Sequence, residues 1–312
     1  MLKLNIGKTK YMIFSNMIKQ DVNIEINKIK IKRVTQDKFL GVLMDEKLTW
    51  DAHKAAIAKK ISSYCGVLFR ARHILNTAAL KTLYYSFIQS HLMYCCTVWG
   101  SGSKSSINQI FIAQKRAIRT MFFVKLYEKD ELTGKYTYGH TKSYFNTSEI
   151  LVIHNLILMQ MLNQMHKVNL SLAPENTLSF FKKTEINTNN LNINVLNATL
   201  RRQGIDGNNI ILPTEKHNYV YFAIPNSKLK IYKTSIQVLG PIAYNNFTNY
   251  INNNIFTTSG GRAIERLYPK TFKNYIKTLL LTEQANGDPD TWNPTNMPLY
   301  TFPTTNITLR NR

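Results

Sequence analysis

Basic side chains beside the apolar faces of predicted helices are the residues of this chain best placed to do chemistry. Five of them flank stripes of helical period without entering them: Lys59, Arg70, Lys115, Arg116 and Arg119. Side chains so placed can reach phosphate oxygens without occupying core volume. The competing interpretation is an ordinary solvated face. We favour phosphate contact because the chain has 40 Lys and Arg against only 18 Asp and Glu.

The charge of the whole chain supports the same partner class. The 312-residue chain has a net charge of +22, so its positive side chains repel one another unless a bound polyanion neutralises them. Nucleic acid is the first candidate for that polyanion. A coding bias towards A and T could account for some of the lysines. It does not account for the shortage of carboxylates, because Asp and Glu are equally accessible to such coding.

Other groups that could carry chemistry are unfavourably placed. His53 and His91 lie beside or within apolar stripes, which predicts hydrogen-bonded core histidines rather than bases or ligands. Neighbouring carboxylates occur at 130–131 and 288–290, but in predicted loops without a nearby His or Cys. We therefore expect these acids to be solvated.

The cysteines and the hydropathy pattern exclude several protein classes. Cys65, Cys95 and Cys96 have neither a disulfide framework nor zinc spacing, so we expect no metal site and a reducing compartment. The most apolar run, 150–162, is too short to span a bilayer, and the N-terminus has no signal-peptide pattern. The expectation is an intracellular protein, nuclear or in a cytoplasmic ribonucleoprotein, neither secreted nor membrane-bound.

The elements that position the basic residues follow from hydrophobic periodicity. Alternation over 2–14 and 22–42 predicts a small antiparallel sheet with four inward isoleucines, Ile24, Ile26, Ile29 and Ile31. Such strands would leave an unpaired edge and an uncovered face, so we expect the isolated chain to be poorly stable.

Three helices are predicted to follow as a bundle. The first runs from Trp50 to about Ile74, with Ile57, Ile61, Cys65 and Leu68 among its core residues. The second begins after an Asn76 cap and ends at Gly100, with its core face at Leu80, Leu83, Tyr84, Phe87, His91, Tyr94 and Val98. The third, capped within 103–106, buries Ile107, Ile110, Phe111, Gln114, Ile118 and Met121.

The rest of the chain is predicted as a loop, a helix and a less regular part. Residues 127–142 read as a loop, and Ser148 as the cap of an apolar helix through Met165. The fold class is α+β: a small sheet, a three-helix bundle, then a mixed, partly irregular C-terminal domain. The predicted divisions are 1–45, 46–125, 126–169, an Asn-rich linker at 170–230, 231–285, and a disordered tail at 286–312.

A series of fixed points in the chain resembles a known family. They are Phe39-Leu40-Gly41-Val42, Asp45, Leu48, Trp50, His53, Leu83-Tyr84, Tyr94, Trp99-Gly100, Gln114-Lys115-Arg116-Ala117 and Arg119. The series is similar to the end of non-LTR retrotransposon (jockey/RTE/CR1-like) reverse transcriptases. That resemblance implies that 1–45 is a palm remnant and 46–125 a thumb packed beside the template–primer duplex.

Segments at both ends extend the resemblance. Leu4-Asn5, Lys8-Thr9, Met12 and Phe14 are similar to the segment that follows the catalytic aspartates, which implies that Lys8 matches a lysine near the incoming triphosphate. The aspartates are expected before Met1, since no Tyr/Phe-x-Asp-Asp occurs in the chain. Lys233, Ser235, Gly240-Pro241 and Asn245 resemble a closing motif, with Tyr244 in place of Trp, and 272–273 and 279–280 match its last helix.

The function that follows from the resemblance is a C-terminal fragment of an RNA-directed DNA polymerase that keeps a duplex-binding thumb. Phe39, Leu40 and Gly41 would support the primer end, where a glycine lets backbone approach a sugar-phosphate chain; the alternative is a plain hydrophobic hairpin. Partners would be RNA or an RNA–DNA hybrid and the missing polymerase portion. No cofactor is expected in this chain, although Mg²⁺ is implied for the complete polymerase. The alternatives are a stand-alone non-catalytic binding module, an inert transposon remnant, or a purely structural helical protein.

Overall fold

The N-terminal strands form short separate ladders. The computed structural model describes residues 4–14, 22–100, 104–125, 127–129, 134, 136–138, 140–187, 218–225, 235–254 and 267–286. After a 3₁₀ turn at Ile6–Lys8, six strands follow: β1 (Lys10–Tyr11), β2 (Glu25–Ile26), β3 (Ile29–Lys30), β4 (Lys32–Arg33), β5 (Gln36–Phe39) and β6 (Val42–Asp45). β2–β3 and β5–β6 are antiparallel, whereas β1 pairs with β4 in parallel.

The expectation of one antiparallel sheet with four inward isoleucines was therefore wrong in its details. Ile31 is buried, but Ile24 and Ile29 are exposed. The reason is that β2 and β3 form a two-residue hairpin whose turn, at Asn27–Lys28, has positive φ angles and lies at the surface.

A carboxylate organises the entry into the first long helix, α1 (Asp51–Ala71). Trp50 precedes α1 in a left-handed conformation without a side-chain cap. Instead, Asp45 accepts hydrogen bonds from the backbone N–H groups of Thr49 and Trp50 at 3.0–3.1 Å and from the Thr49 hydroxyl. These bonds hold the pKa of Asp45 below its usual value, although burial opposes that shift. As predicted, Ile57, Ile61, Cys65 and Leu68 are buried.

The predicted second helix is interrupted. It consists of α2 (Thr77–Leu83), capped by Asn76 as predicted, a π-helical segment (Tyr84–Gln89), α3 (Ser90–Met93) and, after a break at Cys95, α4 (Cys96–Trp99). Its buried residues are spaced by about four: Leu80, Tyr84, Ile88, Leu92, Cys96 and Trp99. The expected core positions Phe87, Tyr94 and Val98 are exposed, because the wider π turn rotates the later residues away from a 3.6 period.

The third predicted helix is α5 (Lys104–Met121), and all six of its predicted core residues are buried. α5 runs parallel to α1, since three successive contacts advance together along both helices. The Lys54 ammonium donates to the Ser106 hydroxyl at 3.1 Å, and the Cys65 thiol contacts the Ala113 carbonyl. Arg72 donates to the Thr120 carbonyl at 3.4 Å.

The region predicted as a loop, 127–142, contains two paired strands and ends where a helix begins. β7 (Tyr127–Lys129) pairs with β8 (Tyr136–Tyr138), and α6 (Lys142–Thr147) follows. Ser148 lies at the end of α6, so its prediction as a helix N-cap was wrong. α7 (Ile153–Asn169) begins after Val152, which has no side-chain cap bond, and short α8 (Glu175–Leu178) and β9 (Lys183–Asn187) come next.

Two buried glutamines take the place of a cap for α7. The Gln114 side chain accepts from the Ile153 N–H at 2.9 Å and donates to the Leu151 carbonyl at 3.0 Å. Gln284 accepts from the Val152 N–H at 3.2 Å. The backbone N–H and carbonyl groups at 151–153, just before the largely apolar α7, thus have hydrogen-bond partners inside the core. Gln114 also links α5 to the start of α7.

The C-terminal elements pack on α7. β10 (Asn218–Phe222) pairs with β9, and two helices follow, α9 (Ile236–Asn254) and α10 (Pro269–Asn286). A Cβ on Gly240 would lie 2.7 Å from the Met165 sulfur, so this glycine permits the close approach of α9 to α7. The amide of Asn245 pairs with both backbone groups of Phe222, at 2.8 and 2.9 Å.

One hydrophobic core extends from α1 to α10, and it includes the interior of α7. The α+β class is confirmed. No helix among the described residues is long and apolar enough to cross a membrane. Ser103, Lys233, the 188–217 and 226–230 parts of the predicted linker and the 287–312 part of the predicted tail lie outside the described residues.

Candidate nucleic-acid interface

The β5–β6 hairpin exposes two large apolar side chains at its tip. Phe39 pairs with Val42 across a two-residue turn, and the turn residues Leu40 and Gly41 have φ angles of 45° and 85°. Val42 is buried, but Phe39 is 63% exposed and Leu40 75%. The predicted contact residues of the hairpin are thus presented to solvent.

The helical bundle holds this tip in place. The Tyr94 hydroxyl donates to the Leu40 carbonyl at 2.6 Å, and a Cβ on Gly41 would lie 3.3 Å from the Tyr94 ring. Tyr94 is itself fixed from behind, because the indole N–H of buried Trp99 donates to its carbonyl at 2.7 Å. An exposed turn is therefore anchored to the core through two side chains.

His53 makes a second attachment on the following strand. Its Nδ1 accepts a hydrogen bond from the Leu43 N–H at 3.2 Å, and its ring meets that of Trp99 edge-on, with centroids 5.8 Å apart. His53 is thus the buried, hydrogen-bonded histidine predicted from the sequence. Burial lowers its pKa, as do the charges of Lys60, Lys38 and Lys54, so the neutral, accepting ring is favoured.

Two further cations act on the pKa of His53. Lys38 in β5 and Lys60 in α1 are both exposed, and both lie close enough to His53 to lower its pKa. Lys60 also contributes to the lowered pKa of His91, after burial. Cationic side chains therefore flank the hairpin as well as the bundle.

The two predicted basic residues of α1 share one exposed face. Lys59 and Arg70 are eleven residues apart, about three helical turns, and both are exposed opposite the buried stripe. Neither forms an ion pair with any residue that the structure describes. Their placement is compatible with phosphate contact.

The three predicted basic residues of α5 divide between two sides of that helix. Exposed Arg116 lies towards α1, where its charge opposes the burial that raises the pKa of the Cys65 thiol to about 11. Lys115 lies on the other side, with its ammonium 4.3 Å from the Phe111 ring centroid. Burial and the charge of nearby Arg119 lower the pKa of Lys115. The structure therefore does not bring these three cations together as one cluster.

Lys8, the one catalytic expectation, is exposed at the end of the 3₁₀ turn. Its backbone N–H is held by the Asn5 carbonyl and side chain at 3.1–3.2 Å. Within the described parts of the chain, no three His, Cys, Asp or Glu side chains are grouped to hold a metal ion. The described residues thus do not fit the metal that a complete polymerase would need.

Several features of the interface were missed from the sequence. Tyr94 was assigned to the core, and Lys38 and Lys60 were not selected. A usable signal was present: from Ala52 to Tyr127 the sequence has no Asp or Glu but 11 Lys or Arg. This is the longest stretch of the chain without an acidic residue, and it covers most of the helical bundle.

The chain is similar to curated polymerases of mobile elements. It is 26% identical over 125 residues, 38% of its length, to the probable RNA-directed DNA polymerase from transposon BS of Drosophila melanogaster. It is 24% identical over 121 residues, also 38% of its length, to the RNA-directed DNA polymerase from mobile element jockey of Drosophila funebris. A third relative is the probable RNA-directed DNA polymerase from transposon X-element of Drosophila melanogaster, at 24% over 119 residues and 37% of the chain.

These matches confirm the resemblance to retrotransposon polymerases stated from the sequence. They span only 13–14% of the length of those polymerases. No protein-family model matches the chain, and no solved structure matches it significantly.

Proposed function

We propose that this chain is a reverse-transcriptase-derived segment that grips an RNA–DNA hybrid and does not itself polymerise. The grip would combine the exposed hairpin tip with cations of α1 and α5. Its place would be intracellular, in the nucleus or in a cytoplasmic ribonucleoprotein. Its partners would be the hybrid and a polymerase portion that supplies the catalytic aspartates and Mg²⁺.

The observation that carries the proposal is the attachment of an exposed apolar turn to a helical bundle that has no Asp or Glu after the first residue of α1. The 2.6 Å bond from Tyr94 to the Leu40 carbonyl holds the turn at a fixed position, where Phe39 and Leu40 are exposed and Lys38 is the residue before Phe39. Exposed apolar side chains that lie next to each other, as Phe39 and Leu40 do, are typical of surfaces that contact a ligand or partner. The adjacent cations supply phosphate contacts.

A hybrid duplex suits this surface. RNA–DNA hybrids are A-like, with a deep, narrow major groove and a wide, shallow minor groove. Contacts would therefore go to phosphates, sugars and the minor groove, where Lys, Arg and apolar side chains serve without base specificity. Little sequence preference is expected.

Catalysis is assigned elsewhere because Lys8 lacks the groups that would make it useful. A lysine near a triphosphate acts on phosphates that metal ions hold, and those ions need carboxylates. No paired aspartates of the polymerase type occur in this sequence. The stand-alone binding module would use the same contact chemistry, so the binding test below applies to it equally.

The test is a salt series of hybrid binding by the full chain. The variant Lys59→Gln/Arg70→Gln/Arg116→Gln removes three exposed cations of the bundle, and Lys167→Gln/Lys182→Gln/Lys270→Gln removes three exposed cations outside it. We expect the bundle variant to reduce the slope of log affinity against log salt by about two to three, because each lost phosphate contact removes about 0.9. The control variant should leave the slope close to that of the wild type. Equal effects of the two variants would mean that the charge is only a solvated face.

A further inference from the structure

We propose that the adjoining ends of α1 and α5 form a platform for unpaired bases of single-stranded nucleic acid. The platform consists of Phe69, Arg72, His73 and Phe123. This proposal rests on the proposed function only because both take nucleic acid as the ligand. The ligand of the platform is a single strand, whereas that of the proposed function is an RNA–DNA hybrid.

The platform is a built cluster, not a chance pair of exposed rings. The Arg72 guanidinium lies over the Phe69 ring at 4.2 Å from its centroid and over the Phe123 ring at 4.5 Å. Its position is fixed by hydrogen bonds to the Thr120 carbonyl at 3.4 Å and to the His73 Nε2 at 3.3 Å. His73 meets both phenyl rings edge-on, with centroids 5.9 and 5.6 Å away.

Each phenyl ring has one face covered and the remainder open. Phe69 is 52% exposed and Phe123 53%, although the guanidinium lies against both. Phe123 has a φ of 55°, which is a costly backbone conformation for an aromatic residue. The same left-handed residue ends α5, because the Val124 N–H donates to the Arg119 carbonyl at 3.0 Å.

The charge around the platform selects a polyanion. Arg70 precedes it in α1 and is exposed, and exposed Arg116 lies towards α1 on α5. Lys125, also exposed, follows Phe123 by two residues. No acidic residue occurs anywhere from 52 to 127. Phosphates on either side of a stacked base would therefore meet these cations.

Open aromatic faces indicate unpaired bases rather than a duplex. In a duplex the base faces are already stacked on one another, so aromatic side chains cannot reach them. Single-stranded binding sites combine a cationic groove with aromatic rings on which bases stack, and that is the composition found here. A protein partner would instead use the apolar surface next to the cluster, where Ile74 is 85% exposed.

The test compares two double variants of the full chain in binding to a 12-nucleotide oligothymidylate. Phe69→Leu/Phe123→Leu keeps apolar side chains but removes the rings, whereas Phe69→Tyr/Phe123→Tyr keeps the rings. Stacking predicts that the leucine variant loses about tenfold in affinity at unchanged salt slope, and that the tyrosine variant binds like the wild type. Binding to an RNA–DNA hybrid should be unchanged in both variants.

Other results would overturn the platform. Oligothymidylate binding that is unchanged in the leucine variant, or that falls together with hybrid binding, excludes ring-specific stacking. An equally large loss of oligothymidylate affinity in Ile74→Ser would also exclude stacking, because an apolar contact would then account for the binding. Thermal melting of each variant shows whether the fold is retained. Failure of the proposed function would be seen in a different experiment, the salt series of hybrid binding.

A fluorescence measurement gives an independent readout. In Phe123→Trp, a stacked thymine would quench the added indole, and subtraction of the wild-type signal corrects for the three native tryptophans. Quenching that saturates with the binding curve supports the platform. Absence of any change at saturating oligothymidylate contradicts it.

Discussion

The Tyr94 hydroxyl joins the tip of the exposed hairpin to the bundle. Tyr94 would sit on the core face of an uninterrupted helix, but the chain breaks at Cys95 and the ring turns outward to Gly41. The residue thus acts as a positioning group for Phe39 and Leu40, while its own carbonyl is fixed by Trp99.

Tyr94→Phe removes this hydroxyl and keeps the ring. We expect a loss of about 1 kcal/mol in stability of the hairpin attachment, the usual worth of one hydrogen bond. Hydrogen exchange of the amides in β5 and β6 should speed up by about fivefold. The control is Tyr85→Phe, because the Tyr85 hydroxyl donates to the Glu149 carbonyl and does not contact the hairpin. Equal exchange rates in the two variants would contradict the anchoring role.

His166 is a second residue with a defined electrostatic consequence. It is buried, stacks on Phe272 with centroids 3.7 Å apart, and its Nε2 donates to the Leu267 carbonyl at 2.7 Å. Its other nitrogen faces the hydroxyl of Tyr244 at 3.3 Å. Burial lowers the pKa of His166 to about 4. The Tyr244 hydroxyl in α9 therefore supplies a hydrogen bond to α7.

This shift predicts a specific acid sensitivity. An unfolded histidine titrates near 6.5, so the fold favours the neutral ring, and the stability gained is complete above pH 6.5. It declines as pH falls and is lost near pH 4, a change of roughly 3 kcal/mol. Urea unfolding between pH 7 and 4 should show this loss, and His166→Phe, which keeps the stack on Phe272, should flatten it. A slope that is unchanged in His166→Phe but reduced in the control His73→Gln would contradict the assignment.

At the scale of elements, buried amides decide how helices meet. Gln114 belongs to the segment that resembles the Gln-Lys-Arg-Ala motif, but its side chain is fully buried. Its side chain also donates to the Tyr84 hydroxyl at 2.8 Å, at the start of the π segment. One side chain thus joins α5, the π segment and the entry to α7.

Gln114→Leu tests this junction. It leaves the Ile153 N–H, the Leu151 carbonyl and the Tyr84 hydroxyl without their partner inside the core. Because each buried unsatisfied group costs about 1–3 kcal/mol, we expect the free energy of unfolding to fall by about 3 kcal/mol or more. The matched control is Gln109→Leu, an exposed glutamine of the same helix, which should change it by less than about 0.5 kcal/mol. Similar urea midpoints for the two variants would show that the junction is not important.

At the scale of the whole molecule, charge and core are distributed differently. The cations without acidic neighbours are concentrated between 52 and 127, but the apolar core continues beyond them through α7 to α10. Gly100, the end of the resembling Trp-Gly pair, packs against this continuation, since a Cβ there would lie 2.9 Å from Ile157. The surface proposed to bind nucleic acid therefore depends on a scaffold outside it.

A chain ending at residue 125 tests that dependence. It would keep the basic bundle but expose the apolar surface that α7 covers, including the surroundings of Trp99 and Gln114. We expect it to aggregate or to lose cooperative unfolding, whereas a chain ending at residue 286 should melt like the full protein. Calorimetric melting compares the two. Cooperative unfolding of the shorter chain at the full-length midpoint would mean that the bundle is autonomous.

The sequence alone determined the features that depend on local pattern. Apolar period predicted α1 and α5 with their core residues, Asn76 predicted the start of α2, and the motif series identified the polymerase resemblance that the comparisons confirm. The basic residues of α1 were also placed correctly on an exposed face. These features can be predicted because the spacing of apolar residues and the capping of a helix depend only on residues close together in the sequence.

Only the tertiary structure decided the rest. The π turn shifted the face of the second helix, because packing of Leu80, Tyr84, Ile88 and Leu92 outweighed the period of a regular helix. The anchor from Tyr94 to Leu40 and the stack of Arg72 join residues about 50 apart in sequence. Such contacts depend on how helices and hairpins meet, and no local pattern specifies that arrangement.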